Sequence, residues 1–267
     1  MTNPGKGLQV RITVMFGNMA ADRTALEMLG LLTAETPSEI LGLFMEDSEL
    51  LSLADLPVAR EYCCLTQVER QLDSADLQRQ LRIQARFAQQ ALAAIAERIG
   101  FSWSFQTVRG SLAGLLESAA EDMDLVLLAA ARRSLPVPGH FASTTLTRPS
   151  RKPVSVIFDG SAVAQRALAV ALRIARAGEQ SLNVFLVAAN ANDFSSLRAQ
   201  STALAGPVVL RFHERVNPEF DEILAAVRSE RAGTLVLGMD ERLISPKSVE
   251  LLRNRLSCPA VLVKETG

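Results

Sequence analysis

Groups able to move a proton near neutral pH are scarce in this chain, which holds only His140 and His213. His140 falls in a Pro-rich stretch, and His213 stands at the end of a predicted strand beside Glu214 and Arg215. A general-base role for either needs partners from elsewhere in the fold, so both read as exposed polar residues and no catalytic residue is assigned. The cysteines, Cys63, Cys64 and Cys258, have neither metal-ligand spacing nor the layout of a disulfide framework, which points to a reducing compartment. The adjacent pair Cys63-Cys64 reads either as a redox or partner-contact feature or as two small buried residues. No nucleophile elbow, phosphate-binding Walker loop or zinc-protease pattern occurs. What remains is Asp159-Gly160-Ser161, directly after the apolar run Val154–Phe158. A strand turning into a helix uses these residue types, because Asp and Ser oxygens accept hydrogen bonds from the free N–H groups at the helix start.

Such a turn must be held by an alternation of strands and helices, and the sequence has one. Leu8–Phe16 and Ile40–Met45 are short apolar runs with a helical pattern at Leu26 and Leu29 between them. After an irregular stretch, a long helix is predicted over Val68–Ile99, with Leu81, Ala85, Ala88, Leu92, Ile95 and Ile99 on one face. Its Arg70, Arg79, Arg82, Arg86 and Arg98 form either a partner surface or a solvated outer face. Gly100 stops the helix, Phe101–Val108 alternates as a strand, Ser111 caps a helix to Ala120, and Asp124–Ala130 is a strand buried on both faces. Residues 132–152, with Pro136, Pro138, Gly139 and Pro149, break both periods and read as a linker. The alternation then restarts: strands at Val154–Phe158, Leu182–Val187, Val208–Phe212, Thr234–Gly238 and Pro259–Lys264, with helices at Ala162–Ala177, Asp193–Leu204, Pro218–Arg231 and Lys247–Leu256.

The restart is a repeat. Sliding Gln165-Arg166-Ala167-Leu168 onto Arg23-Thr24-Ala25-Leu26 also places Leu182 on Ile40 and Val187 on Met45 without a gap. Thr234–Leu237 matches Asp124–Leu127 at a shorter offset, so the first half carries an insertion made of the irregular stretch and the long helix. The expected domains are residues 1–150 and 151–267. Charge narrows the partners: Lys and Arg number 28 against 29 Asp and Glu, a formal net charge of −1, which gives no electrostatic drive toward nucleic acid. No signal-peptide layout or membrane-spanning run is seen, so a cytoplasmic protein with no membrane partner is expected.

Val154-Ser-Val-Ile-Phe-Asp159-Gly160-Ser161 with the helix after it, Thr234-Leu-Val-Leu-Gly238, Ser257-Cys258-Pro259-Ala-Val-Leu-Val263 and, in the first half, Gly42-Leu-Phe-Met-Glu46-Asp47 together resemble the universal stress protein family. The resemblance spans essentially the whole chain and implies α/β architecture with two tandem doubly wound parallel-sheet domains of strand order 3-2-1-4-5. In members that bind an adenine nucleotide, an Asp ending the first strand contacts the nucleoside and a glycine loop after the fourth strand cradles the phosphates. Carried onto this chain, those positions are Asp159, Gly160, Ser161, Gly238 and Ser248. The departures are Glu241 where a second glycine is expected, a shorter loop before Lys247-Ser248, and, in the first half, Gly17 and Leu128 in place of the Asp and the first glycine.

The resulting expectation is a non-catalytic stress-response or regulatory protein working through contacts with an unidentified protein partner, its nucleotide loops decayed and no cofactor held. The alternative is a sensor that keeps ATP or another adenine nucleotide in the second domain. The first half, with only Ser143–Thr147 as a β-prone piece after Ala130, is expected to lack a fifth strand. Its open fourth strand and the unmatched strand at Ala260–Lys264 suggest a homodimer paired through the C-terminal strands, with Val261 and Val263 near the contact.

Overall fold

The computed structural model describes residues 10–17, 23–33, 38–63, 67–119, 123–129, 152–240, 245–256 and 258–264. In the first half the elements are β1 (Val10–Phe16), α1 (Arg23–Thr33), β2 (Ser38–Asp47), α2 (Ser48–Ala54), β3 (Arg60–Cys63), β4 (Val68–Gln71), α3 (Ser74–Ile99), β5 (Trp103–Gly110), α4 (Leu112–Ala119) and β6 (Leu125–Leu128). The second half has β7 (Val154–Phe158), α5 (Ala162–Ala177), β8 (Leu182–Ala188), α6 (Phe194–Ala205), β9 (Leu210–Val216), α7 (Phe220–Ser229), β10 (Thr234–Gly238), α8 (Pro246–Arg255) and β11 (Ala260–Val263).

Nine of these strands form one continuous sheet in the order β5-β2-β1-β6-β11-β10-β7-β8-β9. Within the second half, the order β9-β8-β7-β10-β11 is 3-2-1-4-5, and β5-β2-β1-β6 repeats its first four places. In this nine-stranded sheet every pairing inside a half is parallel, as β-α-β crossovers require. Both faces are covered. On one face α1, α3, α5 and α6 pack through residues such as Leu29, Leu92, Leu168 and Leu197; on the other α4, α7 and α8 pack through Leu116, Leu224 and Leu252. This is why β6, β11 and the stretch Leu235–Leu237 of β10 are unbroken apolar runs rather than alternating ones.

Within the sheet the halves join at one antiparallel seam, in which Leu125, Val126, Leu127 and Leu128 of β6 face Val263, Leu262, Val261 and Ala260 of β11, and beside it α1 of the first half packs on α5 of the second. This overturns the expected pairing of C-terminal strands between two chains. β11 already has β10 on its other side, and Val261 and Val263 are buried within the chain. The two strands that look open in the sequence are each other's partners in the fold. The predicted absence of a fifth strand between residues 131 and 150 lies outside the described residues.

The insertion also differs from expectation. The stretch read as irregular contains α2 and a β-hairpin in which Arg60–Cys63 pairs antiparallel with Val68–Gln71. The long helix therefore starts at Ser74, where Asp73 Oδ1 accepts a hydrogen bond from the Asp76 N–H at 2.9 Å. Arg70 belongs to the hairpin and pairs with Glu61 across it. The four residues of β4 are exposed, so no buried face imposed a period that could be read. Among the described residues no helix is long and apolar enough to cross a membrane.

Candidate functional site

Three turns converge where the strand order of the second half reverses, between β7 and β10. After β7, Gly160 takes φ +83°, a left-handed conformation that L side chains rarely adopt, and this swings the chain into α5. Asp159 Oδ1 accepts from the Ser161 N–H at 3.0 Å, and Ser161 Oγ accepts from the Ala164 N–H at 3.2 Å. After β10, Gly238 leads toward α8, whose N-cap Ser245 accepts from the Ser248 N–H at 3.2 Å, with Pro246 at the first helical position. After β9, Glu219 opens α7 in a reciprocal capping box, its own N–H donating to Glu222 Oε2 at 3.3 Å.

Between these turns lies a cavity of about 440 Å³. Its floor is apolar, made by Ile157, Val187, Ile223 and Leu237, and its rim carries Asp159, Ser161, Glu219, Asp240, Ser245 and Ser248. The size suits a small ligand, and the position outside the carboxyl ends of the strands, at an order reversal, is where open α/β sheets bind one. Four of the five residues picked out in the sequence line it: Asp159, Ser161, Gly238 and Ser248. Gly160 serves the turn behind it. Glu241 lies outside the described residues. The residues sequence reasoning missed are Glu219, Asp240 and Ser245, and for two of them a signal existed: Ser245 before Pro246 and Glu219 three before Glu222 are both helix-start patterns.

The resemblance implies that Gly238 is a glycine that lets a phosphate approach. Its surroundings give it another duty, because a Cβ there would come within 2.8 and 2.9 Å of the two γ-carbons of Val163. The glycine lets α5 lie close on β10. Gly238→Ala is therefore expected to destabilise the fold by about 1–3 kcal/mol, the usual cost of overpacking, and Val163→Ala in the same chain is expected to recover most of that loss. Urea denaturation of the single and double variants checks this; a Gly238→Ala protein as stable as the parent would remove the packing role.

His213 stays out of the cavity. Its ring stacks on Phe185 with centroids 4.7 Å apart, and its Nδ1 lies 3.8 Å from a Glu230 carboxylate oxygen. Cys258 is buried, and His140 and Cys64 lie outside the described residues. Among the described residues no group of three or more His, Cys, Asp or Glu is placed to hold a metal ion. In the first half Leu128 is buried between Met15 and Ala260 of the neighbouring strands, and the register corrects its expected place: Val14 pairs with Leu127 as Val156 pairs with Val236, so Ala129 and not Leu128 is the counterpart of Gly238.

A large, mostly parallel sheet with helices on both faces and a cavity at its order reversal defines a doubly wound α/β fold. More narrowly, it is the fold of universal stress proteins. A universal stress protein structure from Archaeoglobus fulgidus aligns over 95% of this chain and 96% of its own, with a TM-score of 0.55 at 16% identity. A putative universal stress protein from Pseudomonas aeruginosa aligns over 96% of this chain and 94% of its own, at 12% identity and a TM-score of 0.46. A second A. fulgidus universal stress protein, solved in complex with dAMP, covers 42% of this chain and 97% of its own, at 17% identity and a TM-score of 0.35. No protein-family model and no curated protein matches the sequence.

Proposed function

We propose that the chain is a non-catalytic regulatory protein of two related units, residues 1–150 and 151–267, which binds an adenine nucleoside or nucleotide in the second unit and acts in the cytoplasm through a protein partner. The observation that carries this reading is the cavity at the strand-order reversal, formed in the chain itself and lined by Asp159, Ser161, Gly238 and Ser248. A carboxylate at the end of the first strand of such a unit is suited to accept a hydrogen bond from a ribose hydroxyl, and the apolar floor is suited to a base. The Asp159 carboxylate and the Ser161 and Ser245 hydroxyls there accept hydrogen bonds from backbone N–H groups at the helix starts, which favours binding over turnover.

Calorimetric titration with adenosine, AMP and ATP tests it. At least one is expected to bind saturably, and Asp159→Ala is expected to weaken that ligand at least about tenfold, the worth of one good hydrogen bond to a charged acceptor. Asp159→Asn keeps an oxygen for the Ser161 N–H and separates loss of a ligand contact from loss of the turn. Absence of binding by all three at millimolar concentration would leave the other reading, a regulator that works by protein contact with its nucleotide loops decayed.

A further inference from the structure

Three helices, α5, α7 and α8, direct their N-termini at the cavity, and each is at least ten residues long. Bare helix N-termini are anion sites: each presents unpaired N–H groups and a partial positive charge of about half a unit. Here the chain answers those donors itself. Asp159 and Ser161 take the N–H groups of Ser161 and Ala164, Ser245 takes that of Ser248, and Glu219 closes a reciprocal box with Glu222. Three carboxylates, of Asp159, Glu219 and Asp240, line the same cavity, and no Lys, Arg or His does so among the described residues. The described lining thus carries carboxylates and no cation, and capping side chains already take N–H groups at each helix start, so the cavity disfavours phosphate and favours hydrogen-bond donors.

From this we infer that the cavity selects against phosphate and takes an unphosphorylated nucleoside, whose hydroxyl and amino groups donate to the rim carboxylates. The inference rests on the ligand-binding reading of the cavity given above and sharpens it: the caps already take N–H groups that a phosphate would otherwise use, while the apolar lining of Ile157, Val187 and Leu237 is left for a base.

The test ranks four probes on the intact protein by calorimetry: adenosine, AMP, ATP without added metal, and an adenosine analogue with a primary amine in place of its terminal hydroxyl. The expected order of affinity is amine analogue, adenosine, AMP, ATP, with at least about tenfold between adenosine and ATP, a gap that narrows as salt screens the carboxylates. Glu219→Gln combined with Asp240→Asn is expected to close most of that gap by improving ATP, while a circular-dichroism melt of the same variant shows that it is folded. ATP binding as tightly as adenosine, or a gap unmoved by the double substitution, overturns the inference and leaves the ligand site standing. Failure of all four probes to bind removes the site reading and the inference with it.

Discussion

Val261→Asp is expected to unfold the first half of the protein along with the second. Val261 is fully buried in β11, between Val236 of β10 and Leu127 of β6. An aspartate there is either an unpaired buried charge or a carboxyl forced to keep its proton, and the cost is about 4 kcal/mol or more. That is a large share of the roughly 5–15 kcal/mol that holds a typical domain together. The damage crosses the seam because β6 has β1 on one side and β11 on the other. The chain carries its own reporter: the only tryptophan, Trp103, sits in β5 at the far edge of the first half. Its fluorescence is expected to report a loss of structure in urea at the same concentration as circular dichroism of the whole chain. A Trp103 signal that still melts as in the parent would mean that the seam does not couple the halves.

Phe185→Ala is expected to cost about 3–5 kcal/mol, the range for removing a large buried aromatic side chain whose space cannot collapse. Phe185 is buried on β8, packed toward α7, and the His213 ring lies stacked on it at an interplanar angle of 17°. The substitution removes core contacts and the platform of His213 together, so the His213 ring protons are expected to lose their ring-current shift in an NMR spectrum of any folded remainder. Phe87 of α3, 40% exposed, provides the comparison, and its replacement by Ala is expected to cost well under half as much. Equal losses for the two would contradict the core described for the second half.

The sequence marked out most of the second half almost to the residue, and the reason is local. Val154–Phe158, Ala162–Ala177 and Thr234–Gly238 are bounded by a Pro, an Asp-Gly-Ser turn or a Gly, and their burial is strong enough to impose a clear pattern. The insertion failed for the opposite reason. Arg60–Cys63 and Val68–Gln71 form a two-stranded hairpin apart from the main sheet, with salt bridges such as Arg60–Glu69 standing in for a core. The Asp73 cap that begins α3 was present in the sequence but was overrun by apolar residues on its upstream side. At the site, Asp159, Ser161 and Gly238 were legible from turn chemistry and from the family pattern, whereas Glu219 comes from a crossover more than fifty residues away and only the fold brings it to Asp159. The seam had no local signature at all, since an antiparallel pairing between distant runs looks, in sequence, like two buried parallel strands.

The seam also bears on how the protein is made. Leu128 pairs with Ala260, and everything between them must leave the ribosome before that pairing can form. During this interval the nascent first half offers the β6 edge, Leu125–Leu128, to whatever is nearby, with its backbone N–H and C=O groups unmatched and its side chains apolar. Contacts so distant along the chain close slowly, because loop entropy is lost before they give anything back. The interval between the synthesis of Leu128 and that of Ala260 is thus the period in which this chain is most exposed to aggregation and most in need of a chaperone.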